Sequence, residues 1–305
     1  MAITINSALK RDVLLQTAMR AFKNRILPIL AFANKFENQP LQGTNVITVP
    51  YISLASGAST DFVAGTGYTT ENNQTIGVKQ VTVNKRKFRM VGFTSDEWNR
   101  QPFLKQDELI AVEAEKLADD VLVDVWSIIT AANYAGTTLT AAAASAFDLD
   151  EVLALRRLCS EANWPLAGRS ILLDSTFWEN LHKDTRLGNQ NYGSNGAVVE
   201  GRITGKIGGF TPYEVPLVPL NGAEKIAGFV ALQSAIAFAS APITPHPVLQ
   251  KTLVDYSKVT DPDSGLTIEY RAFGNAVLDK VQEVIEVNYG YAVAEPAALK
   301  RITIP

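Results

Sequence analysis

TIGVKQVTVNKRKFRMVGFT, residues 75–94, is the stretch on which the fold turns. Val81, Val83, Lys85, Lys87 and Arg89 fall on one face of an extended chain, and Thr82, Asn84, Arg86 and Phe88 on the other. That period of two predicts a strand. Its partner lies upstream in NVITVPYISL, residues 45–54. Between them runs ASGASTDFVAGTGYTTENNQ, residues 55–74, too polar to pack and too long for an ordinary hairpin turn. The expectation is a long two-stranded ribbon that protrudes. Isolated ribbons are marginal in water, so something outside the chain is expected to hold it.

Downstream of the ribbon comes the strongest helical pattern in the chain, over 104–133. Ile110, Ala114, Leu117, Val121, Val125 and Ile128 recur at three- and four-residue steps. A helix of that span is about 45 Å long. Its polar side is acidic: Asp107, Glu108, Glu113, Glu115, Asp119, Asp120 and Asp124 outnumber Lys105 and Lys116. Lys85, Arg86, Lys87 and Arg89 form the one basic cluster, and complementary charge of this kind sets register between partners. The expectation is therefore a basic ribbon meeting an acidic helix across a subunit boundary. Phosphate contact by the same cluster, with Phe88 stacking, is the competing reading.

Upstream, the first forty-odd residues read as a basic arm, with Lys10, Arg11, Arg20, Lys23, Arg25 and Lys35 against Asp12 and Glu37. A short helix over 12–24 is expected there, and nothing in the arm could build a core alone. Beyond the long helix the pattern becomes α/β. Asp148 and Glu151 open a helix that runs to about 163, and RSILLDS (169–175) is a buried strand. TFWENLHKDTR is a short helix, and a glycine-rich run spans 187–209. FTPYEVPLVP, KIAGFVALQ, GLTIEYRAF and VIEVNYGYAVAEP read as strands. In the last, Ile285, Val287, Tyr289, Tyr291 and Val293 alternate with Glu286, Asn288, Gly290 and Ala292. No internal repeat or heptad array is present.

The 305 residues are 47% hydrophobic with net charge −3, which excludes a fully disordered chain and gives no sign of a strongly basic nucleic-acid binder. No secretory signal opens the chain, and the most apolar stretch, residues 226–243, is interrupted by Gln233 and Ser234. A soluble protein without membrane contact is expected. Cys159 is the only cysteine and reads as a small core residue.

GRITGKIGGF (201–210) raises a phosphate-binding loop, which needs G-x-x-x-x-G-K-[ST] after a buried strand. Between Gly201 and Gly205 there is one residue too few, and Lys206 is followed by Ile207 instead of a hydroxyl residue. A mobile glycine loop is the remaining reading. GTGYTT at Gly65 lacks the third glycine of a dinucleotide fingerprint and opens no helix. Two histidines and one cysteine supply no usual zinc set, and GRSILLDS lacks the nucleophile elbow. Neither a catalytic site nor a cofactor is expected.

The order of these features resembles the major capsid protein of tailed bacteriophages, the Hong Kong-type capsid fold. The most family-like stretches are DELIAVEAEKLADDVLVDVWSII, GRITGKIGGFTPYEVPLVP and SGLTIEYRAFGNAVLDKVQEVIEVNYGYAVAEPAALKRI. The resemblance covers essentially the whole chain and rests on organisation. It implies an α+β fold with an N-terminal arm (1–44), an extended E-loop ribbon (45–94), a P-domain spine helix (95–133), an axial A-domain (134–256) and P-domain return strands (257–305). It implies a subunit that assembles with itself, as hexamers and pentamers, into the icosahedral head shell of a double-stranded DNA phage. An encapsulin-like nanocompartment shell is the second reading, and an α/β enzyme the third. The expected subunit interface comprises Lys85, Arg86, Lys87, Arg89, Asp107, Glu108, Glu113, Glu115, Asp119, Asp120, Arg11 and Arg20. Scaffolding, portal and decoration proteins are implied partners, as is packaged DNA by weak non-specific contact. The implied location is the virion, after assembly in the host bacterial cytoplasm. The chain lacks the long helical extension that some members use as a built-in scaffold, and Lys79, Lys85 and Lys87 have no identifiable cross-linking partner.

Overall fold

The computed structural model describes residues 7–33, 45–54, 59–66, 76–100, 106–141, 143–188, 205–216, 218, 224–250, 253–262 and 265–304. Helices and two five-stranded sheets share one main hydrophobic core. Helix α1 (Ser7–Ile26) lies along helix α3 (Gln106–Trp126), with the short helix α2 (Ser95–Arg100) between them in sequence. The α3 pattern works as its spacing requires: Ile110, Ala114, Leu117, Val121 and Val125 are all buried. At 21 residues the helix spans about 31 Å, shorter than the sequence suggested. It stops because side chains take over the backbone acceptors beyond it. The Ser127 hydroxyl donates to the Asp124 carbonyl at 2.6 Å and the Asn133 amide to the Ile128 carbonyl at 2.8 Å.

The arm builds no core alone but shares the main one. Leu14, Leu15, Ala18, Met19, Phe22 and Ile26 form a buried stripe along α1, and Ile29, Phe32 and Ala33 carry it onward. Phe32 packs edge-on against Phe229 at 5.3 Å between ring centroids. The N-terminal helix is part of the core because its apolar residues fall at helical spacing under a cationic surface.

The first sheet runs β3 (Lys85–Thr94), β11 (Lys280–Val293), β10 (Thr267–Asn275), β9 (Asp255–Thr260), antiparallel throughout. β8 (Ile236–Ser240) pairs with the far end of β11. The second sheet runs β4 (Leu139–Thr140), β12 (Leu299–Thr303), β7 (Ile226–Ala231), β5 (Ser170–Leu173), β6 (Thr211–Glu214). With it come α4 (Leu149–Glu161), α5 (Ser175–Lys183) and the short α6 (Thr185–Gly188). Asp148 caps α4 by accepting from the Asp150 and Glu151 amides at 2.8 and 3.4 Å. β8, from the segment 134–256, pairs in the first sheet, β9 joins the same sheet, and β12, near the end of the chain, joins the second.

The long strand expected over 75–94 is two strands. β2 (Ile76–Thr82) pairs with β1 (Val46–Ile52) as a separate ribbon, and β3 leaves it for the first sheet. In β11 the expected alternation of buried and solvated positions is absent: Glu286 and Asn288 are as buried as Ile285 and Val287.

Candidate assembly surface

The residues of β3 sort themselves by the pleat. Lys85, Lys87 and Arg89 face α3, and Arg86, Phe88 and Met90 face away. Toward the helix, the Lys85 ammonium donates to both Asp124 oxygens at 2.9 and 3.0 Å and to the Tyr291 hydroxyl at 2.6 Å. Lys87 donates to the Asp120 carbonyl at 2.6 Å, and Arg89 stands 3.6 Å from both Glu113 and Asp120. On the far face, the Arg86 Nε donates to Glu286 at 2.7 Å. From α1, Arg25 holds Asp119 with two guanidinium nitrogens at 2.5 and 3.3 Å.

This corrects the expected location of the charge pairing. The basic cluster and the acidic helix do meet, but within one chain, because β3 sits in the sheet that α3 covers. Asp107, Glu108 and Glu115 instead lie on the exposed side of α3, and Arg20 on the exposed side of α1. Arg11 lies in α1, and its side chain is outside the described residues. The seam is electrostatically settled. Burial pushes the Asp124 carboxyl up, but hydrogen bonds from Lys85 and Tyr289 outweigh it and leave the group below its ordinary value. Burial, and then the bond to Asp124, push the Tyr289 phenol far above its ordinary value.

The ribbon has two unlike faces. Ile47, Val49 and Val81, with Val83 just past the ribbon, pack on a platform of Ala237, Ala239, Ala241 and Ala294. The opposite face is apolar and open: Ile52, Ile76 and Val78 are 68%, 68% and 64% exposed. The expectation that only an outside partner holds the ribbon is thus corrected, since the chain's own alanines seat its root. Sequence reading missed this platform, although the alternation of Ala237, Ala239 and Ala241 was its signal. Most of the connecting loop, 55–58 and 67–75, lies outside the described residues.

An open cleft of about 800 Å³ separates the ribbon from the body, lined by Pro50, Tyr51, Leu54, Ile76, Pro165 and Leu232 among others. Among the described residues that line it, Tyr51 is the only ionisable one, and they offer surface for packing and no acid–base pair.

The glycine loop is resolved in its last part. Ile207 and Phe210 exchange backbone hydrogen bonds at 3.0 and 2.8 Å around Gly208 (φ +55°) and Gly209 (φ +92°). This is a tight two-residue turn whose flanking side chains are buried, where a mobile loop had been expected. Residues 189–204, which hold the rest of the run, lie outside the described residues. Cys159 is buried, and burial pushes its thiol up to about 11. His182 packs on Trp178 and bonds its carbonyl oxygen at 3.0 Å. Among the described residues no cluster of His, Cys, Asp or Glu is arranged to hold a metal, and no helix is long and apolar enough to cross a membrane.

No protein-family model matches the chain, and no curated protein matches it. Solved structures do. The capsid structure of the cyanophage P-SCSP1u is 15% identical, with a TM-score of 0.58, over 90% of this chain and 86% of that one. A structure from Mycobacterium phage Che8 is 15% identical, TM-score 0.53, over 85% and 84%. The mature capsid of bacteriophage PhiM1 is 12% identical, TM-score 0.51, over 87% and 84%. At such identities the likeness speaks for the fold: this chain has the α+β fold of phage capsid structures.

Proposed function

We propose that the chain is a major capsid protein, assembling with itself into the icosahedral head shell of a tailed double-stranded DNA bacteriophage. The observation that carries this reading is the match over about nine-tenths of the chain to a phage capsid structure. The surface supports it. A seated ribbon with an open apolar face is poorly placed in water and well placed against a neighbour. In this reading the ribbon is the E-loop, α3 with the first sheet is the P-domain, and the second sheet with α4 and α5 is the A-domain. The ribbon's open face, with Asp107, Glu108, Glu115, Arg11 and Arg20, lies between subunits. Hexamers and pentamers form the shell in the host bacterial cytoplasm, and the protein ends in the virion. Scaffolding, portal and decoration proteins are its partners, and packaged DNA is held by weak non-specific contact. The role asks for no catalysis.

Electron microscopy of the overexpressed, purified protein tests this, with size exclusion alongside. Closed shells or capsomer rings are the expected result. A monodisperse monomer or dimer at high concentration, with lysate supplied for scaffolding, would overturn it.

A further inference from the structure

The root of the ribbon crosses the first sheet at Gly290. A Cβ added to Gly290 would stand 2.1 Å from the Thr82 carbonyl oxygen, 2.7 Å from its carbon and 3.0 Å from the Val83 Cα. All three are backbone atoms of the ribbon's root, so no side chain can swing aside to make room. Around this point the Val83 amide is tied to the Asn45 carbonyl at 2.7 Å, which joins the two ribbon strands at their base. Ala239, opposite Gly290 in the ladder, completes the seat from β8. The ribbon therefore rests backbone on backbone, at a height fixed by one missing methyl group. From Thr82 to Ile76 it extends about 20 Å beyond that contact, at about 3.3 Å per residue. Any change at the seat is carried outward to the exposed Ile52, Ile76 and Val78.

We infer that Gly290 is a positioning residue for assembly: it sets the pitch of the ribbon on the body and, through it, the angle between one subunit and the next. The second half of this inference rests on the capsid reading, whereas the first half concerns the isolated subunit. In a ring of head-to-tail contacts, that angle decides whether and where the ring closes. A shell built with an altered pitch has a different curvature and diameter.

The test compares Gly290→Ala with Gly274→Ala, a sheet glycine whose added Cβ meets nothing within 4 Å. Spin labels at exposed Val78 and Leu166, introduced as cysteines beside the buried native Cys159, report the ribbon-to-body distance in unassembled subunits. Gly290→Ala is expected to move the distance peak by about 2–3 Å and Gly274→Ala to leave it in place. Shells of Gly290→Ala are expected to differ in diameter from wild type. An unmoved distance peak in a folded Gly290→Ala subunit, or a moved peak with wild-type shell diameter, would overturn the inference. A merely structural role lowers melting temperature without moving either readout. Should Gly290→Ala not fold, Ala239→Gly deepens the seat instead, and an unmoved peak there overturns the inference equally. If wild type forms no shells while the peak moves, the capsid reading fails and the positioning of the ribbon stands.

Discussion

Asp124 holds the seam together from a single position. It accepts from Lys85 and from the Tyr289 hydroxyl, the latter at 2.7 Å, and Tyr289 is fully buried. Asp124→Ala strands the buried Tyr289 hydroxyl and leaves Lys85 only Tyr291, and urea denaturation is expected to show a loss of about 2 kcal/mol. The acid dependence has a definite sign. A carboxyl held below its ordinary 3.8 stabilises the fold at higher pH, and that contribution disappears as pH falls through the lowered value. Wild type should therefore lose stability more steeply than Asp124→Asn between about pH 4 and pH 2. Gly208 offers a second test. Its φ of +55° strains any side chain there, and an added Cβ would press on Val152 Cγ1 at 3.0 Å. Gly208→Ala should lower stability by about 1–2 kcal/mol, read from the same titration. Residues of this kind were only partly legible. The sorting of Lys85, Lys87 and Arg89 from Arg86 followed from the pleat alone. That Asp124 joins them, or that Glu286 waits buried behind Arg86, depended on strand order, which alternation does not encode.

Between elements, the charge complementarity of β3 and α3 was legible and its location was not. Opposite charges predict that two segments meet, but they carry no information on whether one chain or two supply them. The consequence is measurable. Reversal of Lys85, Arg86 and Lys87 to glutamate should destabilise the isolated subunit before assembly is at issue. Arg86→Glu alone faces Glu286, which keeps its pair with Arg271, and should cost about 1–2 kcal/mol. Circular dichroism melting of the unassembled variant checks this; a wild-type melting temperature would show the seam to be dispensable. Helix α1 makes a similar point. Its apolar stripe was in the sequence, but the basic residues around it suggested an arm. Phe22, fully buried against the core, should cost about 3–5 kcal/mol when cut to alanine. β9 and β12 were missed for a related reason. DYSKVT is short and polar, and Lys300 and Arg301 make β12 look like a surface segment. Yet both are buried, with Arg301 pairing Glu224.

At the scale of the molecule, organisation was the most legible property: ribbon, long helix, α/β block and β-rich return appear in the expected order. How the strands divide between two sheets was not legible, because β8 and β12 each pair away from their neighbours in sequence. In the proposed shell, assembly should couple to stability by mass action, since burying the open ribbon face would favour the folded subunit. Assembled particles are expected to melt at a higher temperature than dissociated subunits in calorimetry, and equal melting would argue against burial of that face. Strand order has one more consequence. β11 lies between β3 and β10, and β12 between β4 and β7, so each sheet receives a central strand after its other members have been made. During synthesis neither sheet can close until those late residues emerge from the ribosome. A nascent chain thus holds these sheet edges open until β11 and β12 have been made.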